Sequence, residues 1–374
     1  MVHDTVNPLH GGSIERSMQI GKALFERGHQ IDLLTLKKNF DKEYAIRNGV
    51  NKYFLLNSFK FKYIIPLFSF KRVSLICREY DVIHISKNWS LLVFFISVIA
   101  KKNKIPYIFS PMGWVTFKNN KSVIFKKIFF TLCTKYILKH CNACITVSNN
   151  EYKDCKNIIN NVIKIPNGFD KKNFQKPIIN TFKNNFNLLN KKTFLFLGRM
   201  HPIKGVDILI ESFINLHKIN KDWQLVLIGP QNEYRILLEN IVKSSLCKER
   251  IFFIDPLFDE QKIQAYYSCD VFVIPSRHDA MTIVAVEAAA CGKPIIITET
   301  SDFQELYESG GSIQVAANIE EVTFALNQAI LSTDKELTTI GNNAKVFVND
   351  KYEWNIQVRL IEDVFKNEIF KAKT

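Results

Sequence analysis

No run of apolar residues in this 374-residue sequence is long enough to cross a bilayer. The longest, Leu91 to Ala100, has about half of the roughly 20 residues a spanning helix needs, so it reads as a buried helix of an α/β sheet. The first residues hold no basic stretch followed by an apolar core, and no signal peptide is expected. Cysteine is present but lacks the spacing for metal chemistry. Of the eight, Cys141 and Cys144 form a CxxC, yet no second pair follows at zinc-finger spacing and no histidine pair completes a site. Most sit among apolar residues, where the thiol behaves as a small hydrophobe. A reduced, cytoplasmic protein fits this usage. No repeat of solenoid period is present either.

Negative charge is scarce in one half only. Residues 1–176 hold 29 Lys and Arg against 11 Asp and Glu, a net of +18; the remainder holds 21 against 25, a net of −4. Such asymmetry points to an anionic partner for the first half: a membrane surface, lipid phosphate or nucleic acid. The chain lacks any zinc-finger, helix-turn-helix or RNA-recognition pattern, so nucleic acid is not expected. Lys118–Lys139 interleaves Lys118, Lys121, Lys126, Lys127, Lys135 and Lys139 with Val, Ile, Phe and Leu. It has two readings, a basic amphipathic helix lying on an anionic membrane and a crossover helix with a solvated lysine face. A second basic and aromatic patch combines Phe59, Phe61, Tyr63 and Phe70 with Lys60, Lys62, Lys71 and Arg72.

With 47% hydrophobic and 23% charged residues, the chain is long enough for two ordinary domains. Residues 12–27 carry apolar side chains at helical spacing and are closed by Gly28. Strands are expected at 30–36, 82–85, 107–110, 143–147 and 162–165, with helices at 89–103 and 121–140 between them. The rhythm restarts with strands at 193–197, 224–228, 251–254, 271–274 and 294–298. Helices are expected at 206–217, 233–245, 260–268, 282–291 and 319–330. Residues 1–170 and 193–350 therefore read as two Rossmann-like, doubly wound parallel-sheet domains, with a ligand cleft expected between them. The Asn- and Lys-rich stretch 171–192 reads as a linker, and 351–374 as a C-terminal helix packing back toward the first domain. Met1 to Asp4 look like only the second half of an opening strand.

Three constellations carry charge or anion-binding geometry. Gly11-Gly12 precede the first helix, where backbone amides can face an anion, although a plain tight turn explains them equally. Arg199 and Lys204 lie in the loop after the first strand of the second half, as a phosphate clamp or as two solvated cations. The segment from Pro275 to Pro294 runs from a strand through a turn into a buried helix. It places Asp279 before that helix and Glu287 within it, among Val286 and three alanines. A carboxylate buried there needs a partner, and the hydroxyls of a ribose are expected to supply it.

Together these segments resemble glycosyltransferase family 4. The likeness spans nearly the whole chain: Gly11-Gly12 with Arg27-Gly28-His29, Asp81 to His84, Ile165-Pro166-Asn167-Gly168, Gly198-Arg199 with Lys204-Gly205, Asp270 to Ser276, and Glu287 to Pro294. The resemblance implies a GT-B fold and a retaining transfer from a UDP- or GDP-linked sugar, with no metal or other cofactor. Arg199 and Lys204 would hold the diphosphate, Glu287 the ribose and Asp279 the transferred sugar, making Arg199, Lys204 and Asp279 the catalytic set. Gly11, Gly12 and the Ala280-Met281-Thr282-Ile283 turn would complete the donor site. The expected acceptor is a glycan or lipid-linked hydroxyl, in surface polysaccharide synthesis at the inner membrane face.

Three departures stand out. Asp279 replaces the family's usual Glu, Ala280-Met281-Thr282 falls where relatives carry Phe-Gly, and Met112 occupies a position often held by His. Met112 cannot move a proton, which leaves the departing phosphate as base for the acceptor hydroxyl. These departures also admit an alternative, a catalytically degenerate GT-B scaffold that binds nucleotide or a partner without turnover.

Overall fold

The computed structural model describes residues 1–7, 11–60, 64–113, 127–219 and 221–374. They divide into two compact units, Met1–Asn167 with Trp354–Thr374, and Gly168–Glu353.

In the first unit, β1 (Asp32–Leu36), β2 (Lys52–Lys60) and β3 (Ile64–Leu67) pair in that order, and so do β4 (Ile83–Ser86), β5 (Tyr107–Ser110), β6 (Ala143–Thr146) and β7 (Val162–Lys164). All pairings are parallel except β2 with β3. The opening residues join the two sets, since Val2 bridges Leu34 on one side and Ile85 on the other. Its N–H donates to His84 O at 2.8 Å and its carbonyl accepts from Ser86 N at 3.0 Å. The abbreviated first strand is thus a central one. Every residue of β4, β5 and β6 is buried, as strands covered on both faces require. Alternation sorts their side chains: Ile108 and Ile145 pack with Trp354, Val358 and Ile361, while Tyr107, Phe109 and Cys144 face Ile96 and Ile137.

The second unit holds one six-stranded sheet in the order β10-β9-β8-β11-β12-β13. Its strands are β8 (Lys192–Leu197), β9 (Trp223–Ile228), β10 (Ile251–Ile254), β11 (Val271–Ile274), β12 (Ile295–Thr298) and β13 (Ser312–Val315), all parallel. The winding reverses between β8 and β11, and ligands of doubly wound sheets bind at the carboxyl ends of the strands at such a reversal.

The stretch 171–192 differs from expectation. The stretch read as a linker packs on the second core: Phe182 is buried there, and Phe174, Phe186 and Leu188 lie against it. Asn180 adds polar anchors, donating to Gln264 O and accepting from Ser268 Oγ, each at 2.9 Å. Aromatics spaced irregularly through Lys and Asn have no periodicity to betray their burial. The helix Trp354–Lys373 belongs to the first unit. Its Glu362 accepts from Arg27 Nε at 2.8 Å and contacts His29 Nε2 at 2.9 Å. Unforeseen elements include the β2–β3 hairpin, β13 and the helix Asp334–Lys351. The helix Leu91–Lys102 buries Leu92, Val93, Ile96 and Ile99, and no described helix is long and apolar enough to cross a membrane.

Candidate functional site

The loops that follow β8 and β11 are the two at the winding reversal, and three contacts lock them together. Gly205 sits at φ 66°, and a Cβ there would come within 1.9 Å of Pro275 O, so only glycine permits this approach. Arg277 forks onto both carboxylate oxygens of Asp207 at 2.7 and 2.6 Å and donates to Pro202 O at 2.6 Å. Its backbone N–H reaches back to Ile203 O at 2.8 Å. Arg277 is therefore a staple between loops.

The third contact joins two of the expected site residues. Lys204 Nζ pairs directly with Asp279 Oδ2, each side chain 17% exposed. Asp279 Oδ1 also accepts from Ala280 N at 3.0 Å. Arg199, in the same loop as Lys204, is exposed and makes no hydrogen bond or ion pair among the described residues. His201 lies between the two cations and accepts from Ile203 N with Nδ1 at 3.2 Å. Burial, then Arg199 and Lys204, lower its pKa, so it adds no charge of its own.

Glu287 is 5% exposed on the helix Ile283–Ala290. Its partners correct the expectation that only a ligand would satisfy it. Lys262 Nζ stands 2.7 Å from Oε1, and the Tyr266 hydroxyl donates to Oε2 at 2.7 Å. Both come from the helix Asp259–Ser268, far from Glu287 in sequence. The turn before Ile283 is also partly committed. Ala280 N is taken by Asp279, and Met281 N, at φ 49°, donates to Ser301 O at 3.1 Å. Thr282 caps the helix without a side-chain bond, and among the described residues the amides of Thr282, Ile283 and Val284 are left to face an anion.

A solvent-reaching cluster of two cations and a carboxylate, with a buried carboxylate nearby, thus occupies the edge where a nucleotide would dock. The model for glycosyl transferases group 1 matches residues 178–347, which contain all of it. The glycosyltransferase family 4 model matches residues 10–173. The chain is a family 4 glycosyltransferase.

Relatives agree with this assignment. An uncharacterized glycosyltransferase of Methanocaldococcus jannaschii is 25% identical, over 95% of this chain and 94% of its own. The lipopolysaccharide core biosynthesis mannosyltransferase of Rhizobium meliloti is 28% identical over 63% of this chain and 68% of its own. Among solved structures, Anabaena HepE in complex with UDP-glucose superposes with a TM-score of 0.81 over 98% of both chains, at 17% identity. That likeness shows the fold, two Rossmann-like domains of the GT-B type.

The glycosyltransferase's first unit holds the remaining expected residues. Gly11, at φ 94°, precedes the helix Gly12–Glu26, and its carbonyl accepts from Ile14 N at 3.3 Å. Met112 stands at φ 62°, beside Gly113 at 89°. Gly113 N donates to Glu151 Oε1 at 2.6 Å, and Val147 N to Oε2 at 2.8 Å. His84 is not an acid or base, since burial holds its pKa down to about 3 and Nε2 is engaged with Ser110 Oγ at 2.8 Å. The charged groups missed from sequence are Lys262, Asp207 and Arg277. The first has no local signal, because the contact that gives it meaning spans two helices.

Proposed function

We propose that this glycosyltransferase moves a sugar, with retention and without a metal ion, from a UDP- or GDP-linked donor to a glycan or lipid-linked hydroxyl in surface polysaccharide synthesis. The observation that carries the reading is the convergence of Arg199, Lys204 and Asp279 on the two loops at the winding reversal. Donor binding exchanges partners there: Lys204 leaves Asp279 for diphosphate oxygens, and Asp279 accepts a sugar hydroxyl instead. Arg199, already unpaired, adds a guanidinium fork, and the two cations stabilise charge growing on the leaving diphosphate. The bond from the anomeric carbon to the diphosphate oxygen breaks as the acceptor oxygen bonds on the same face. The acceptor proton passes to the departing phosphate.

Calorimetric titration with UDP, GDP, CDP and ADP, with and without EDTA, tests the donor site. Binding of UDP or GDP that EDTA does not alter and Glu287→Ala abolishes supports it. No binding to a folded sample counts against it. Proton NMR of the first product formed reads the anomeric configuration, and an inverted product rejects retention.

Similarity to bacterial transferases of lipopolysaccharide synthesis and the basic first half support a membrane-linked acceptor at the inner face of the membrane. Exposed Phe59, Leu67, Phe70 and Leu75 accompany exposed Lys60, Lys71 and Arg72, and exposed Ile128 and Leu132 accompany Lys127 and Lys135. Lys118, Lys121 and Lys126, with Phe61, Lys62 and Tyr63, lie outside the described residues. Sedimentation with vesicles of anionic and of neutral lipid checks this, and equal binding to both would remove the membrane from the proposal. The scaffold alternative draws on one observation, the occupation of Asp279 by Lys204. Nucleotide binding without multiple-turnover transfer would favour it.

A further inference from the structure

Lys262 and Tyr266 are one helical turn apart, so they present two donors on one face of the helix Asp259–Ser268. Both donors end on the same carboxylate, that of Glu287, whose side chain is 6% exposed. A carboxylate buried beside Val286 and Ala288–Ala290 is costly unless it is paired and hydrogen-bonded. Tyr266 supplies a hydrogen bond and no charge, since burial and then Glu287 keep its phenol protonated. The charge comes from Lys262, 21% exposed, whose stem crosses Phe174 with the ammonium 5.8 Å from the ring centroid. Each carboxylate oxygen offers about two acceptor positions. One per oxygen is taken, which leaves one on each for a pair of vicinal hydroxyls.

We propose that Lys262 is a positioning residue that holds the Glu287 carboxylate toward a ribose diol, and so makes the site select ribonucleotides over 2′-deoxyribonucleotides. This rests on the donor-site reading above. The groups facing Glu287 are Lys262 and Tyr266 from one helix, and Cys291, with Cys269 close to it. Burial pushes both thiols up, Cys269 to about 12, so they stay neutral near pH 7.

The experiment measures affinity for UDP and GDP and their 2′-deoxy forms from about pH 6 to 8.5, in wild type, Lys262→Met and Lys262→Arg. The ribo-to-deoxy ratio cancels titration of the diphosphate and of His201. Wild type is expected to favour the ribonucleotide about tenfold or more, as a charge-assisted hydrogen bond implies, at every pH. In Lys262→Met, which leaves the carboxylate without its charged partner, the ratio should fall to about twofold or less. Lys262→Arg should keep the wild-type ratio. A wild-type ratio in Lys262→Met at every pH overturns the proposal and leaves Lys262 a tie between helices. Equal affinity of wild type for both sugars overturns it as well. Wild type that binds neither nucleotide instead defeats the donor-site reading, and the selection with it. Should Lys262→Met fail to fold by circular dichroism, Lys262→Gln, which keeps a hydrogen bond without the charge, is judged by the same ratios.

Discussion

Arg16 and Glu151 in the first unit and Lys204 and Asp279 in the second all serve loops that follow parallel strands, but they bond different things. Arg16 is 1% exposed and donates to Ile165 O at 2.6 Å, Pro166 O at 2.7 Å and Asn167 Oδ1 at 2.9 Å. Burial pulls its pKa down to about 10. Glu151 takes two backbone amides. Lys204 and Asp279 bond one another within reach of solvent. A backbone carbonyl deserted by its donor inside the protein is left unmet, which is costly. Two side chains at the surface can trade partners with a ligand and lose little. Arg16 and Glu151, buried on backbone partners, therefore belong to the framework, whereas Lys204 and Asp279 are free to exchange partners.

The largest test of this contrast is Arg16→Met. Two buried acceptors and one partly buried lose their donor, and a loss of roughly 3–5 kcal/mol is expected. Thermal melts followed by circular dichroism read it, and a cost under about 1 kcal/mol would erase the distinction. Arg199→Ala should do the reverse. The side chain is exposed and unpartnered, so the melting temperature should hold while the transfer rate falls about 10²–10³-fold. A destabilised Arg199→Ala would place that guanidinium in the framework.

Asp279→Asn sharpens the idea of partner exchange. Lys204 no longer has to leave a carboxylate, so UDP or GDP without a sugar should bind about threefold more tightly, while transfer from the full donor falls. Titration and product assay on one preparation decide it, and weaker nucleotide binding would speak against the exchange. The smallest effect concerns Glu362, which holds the last helix to the first unit. Hydrogen bonds from Lys366, His29 and Arg27 bring its pKa down to about 2, from an ordinary 4.5. A depressed carboxyl stabilises the fold above its unfolded pKa, and that contribution disappears as pH falls from about 4.5 toward 2. Glu362→Gln should melt a few degrees lower at pH 7 and approach wild type as the pH is lowered to about 3. A constant difference across that range would assign the loss to packing.

Much of this architecture was legible because buried parallel strands are short apolar runs between turn signals. Tyr107–Ser110, Ile251–Ile254 and Val271–Ile274 coincide with their expected spans. The β2–β3 hairpin was not legible: lysines, Asn57 and Pro66 interrupt it, and several of its residues are exposed. Arg199, Lys204 and Asp279 stood out because they follow strands whose order could be counted. The contact between Lys204 and Asp279 did not, since it depends on β8 and β11 being neighbours.

Local apolar rhythm and turn residues, acting over a few positions, were enough by themselves to establish two α/β units and the loops that carry Arg199, Lys204 and Asp279 after strands of the second. Only the tertiary structure decided which charges are paired. Lys262 meets Glu287 across 25 residues, Arg16 meets Asn167 across 151, and Phe182 is buried under a sheet formed later in the chain. Those pairings follow from the packing of helices on a sheet, a constraint that acts at a distance and leaves no period in the sequence.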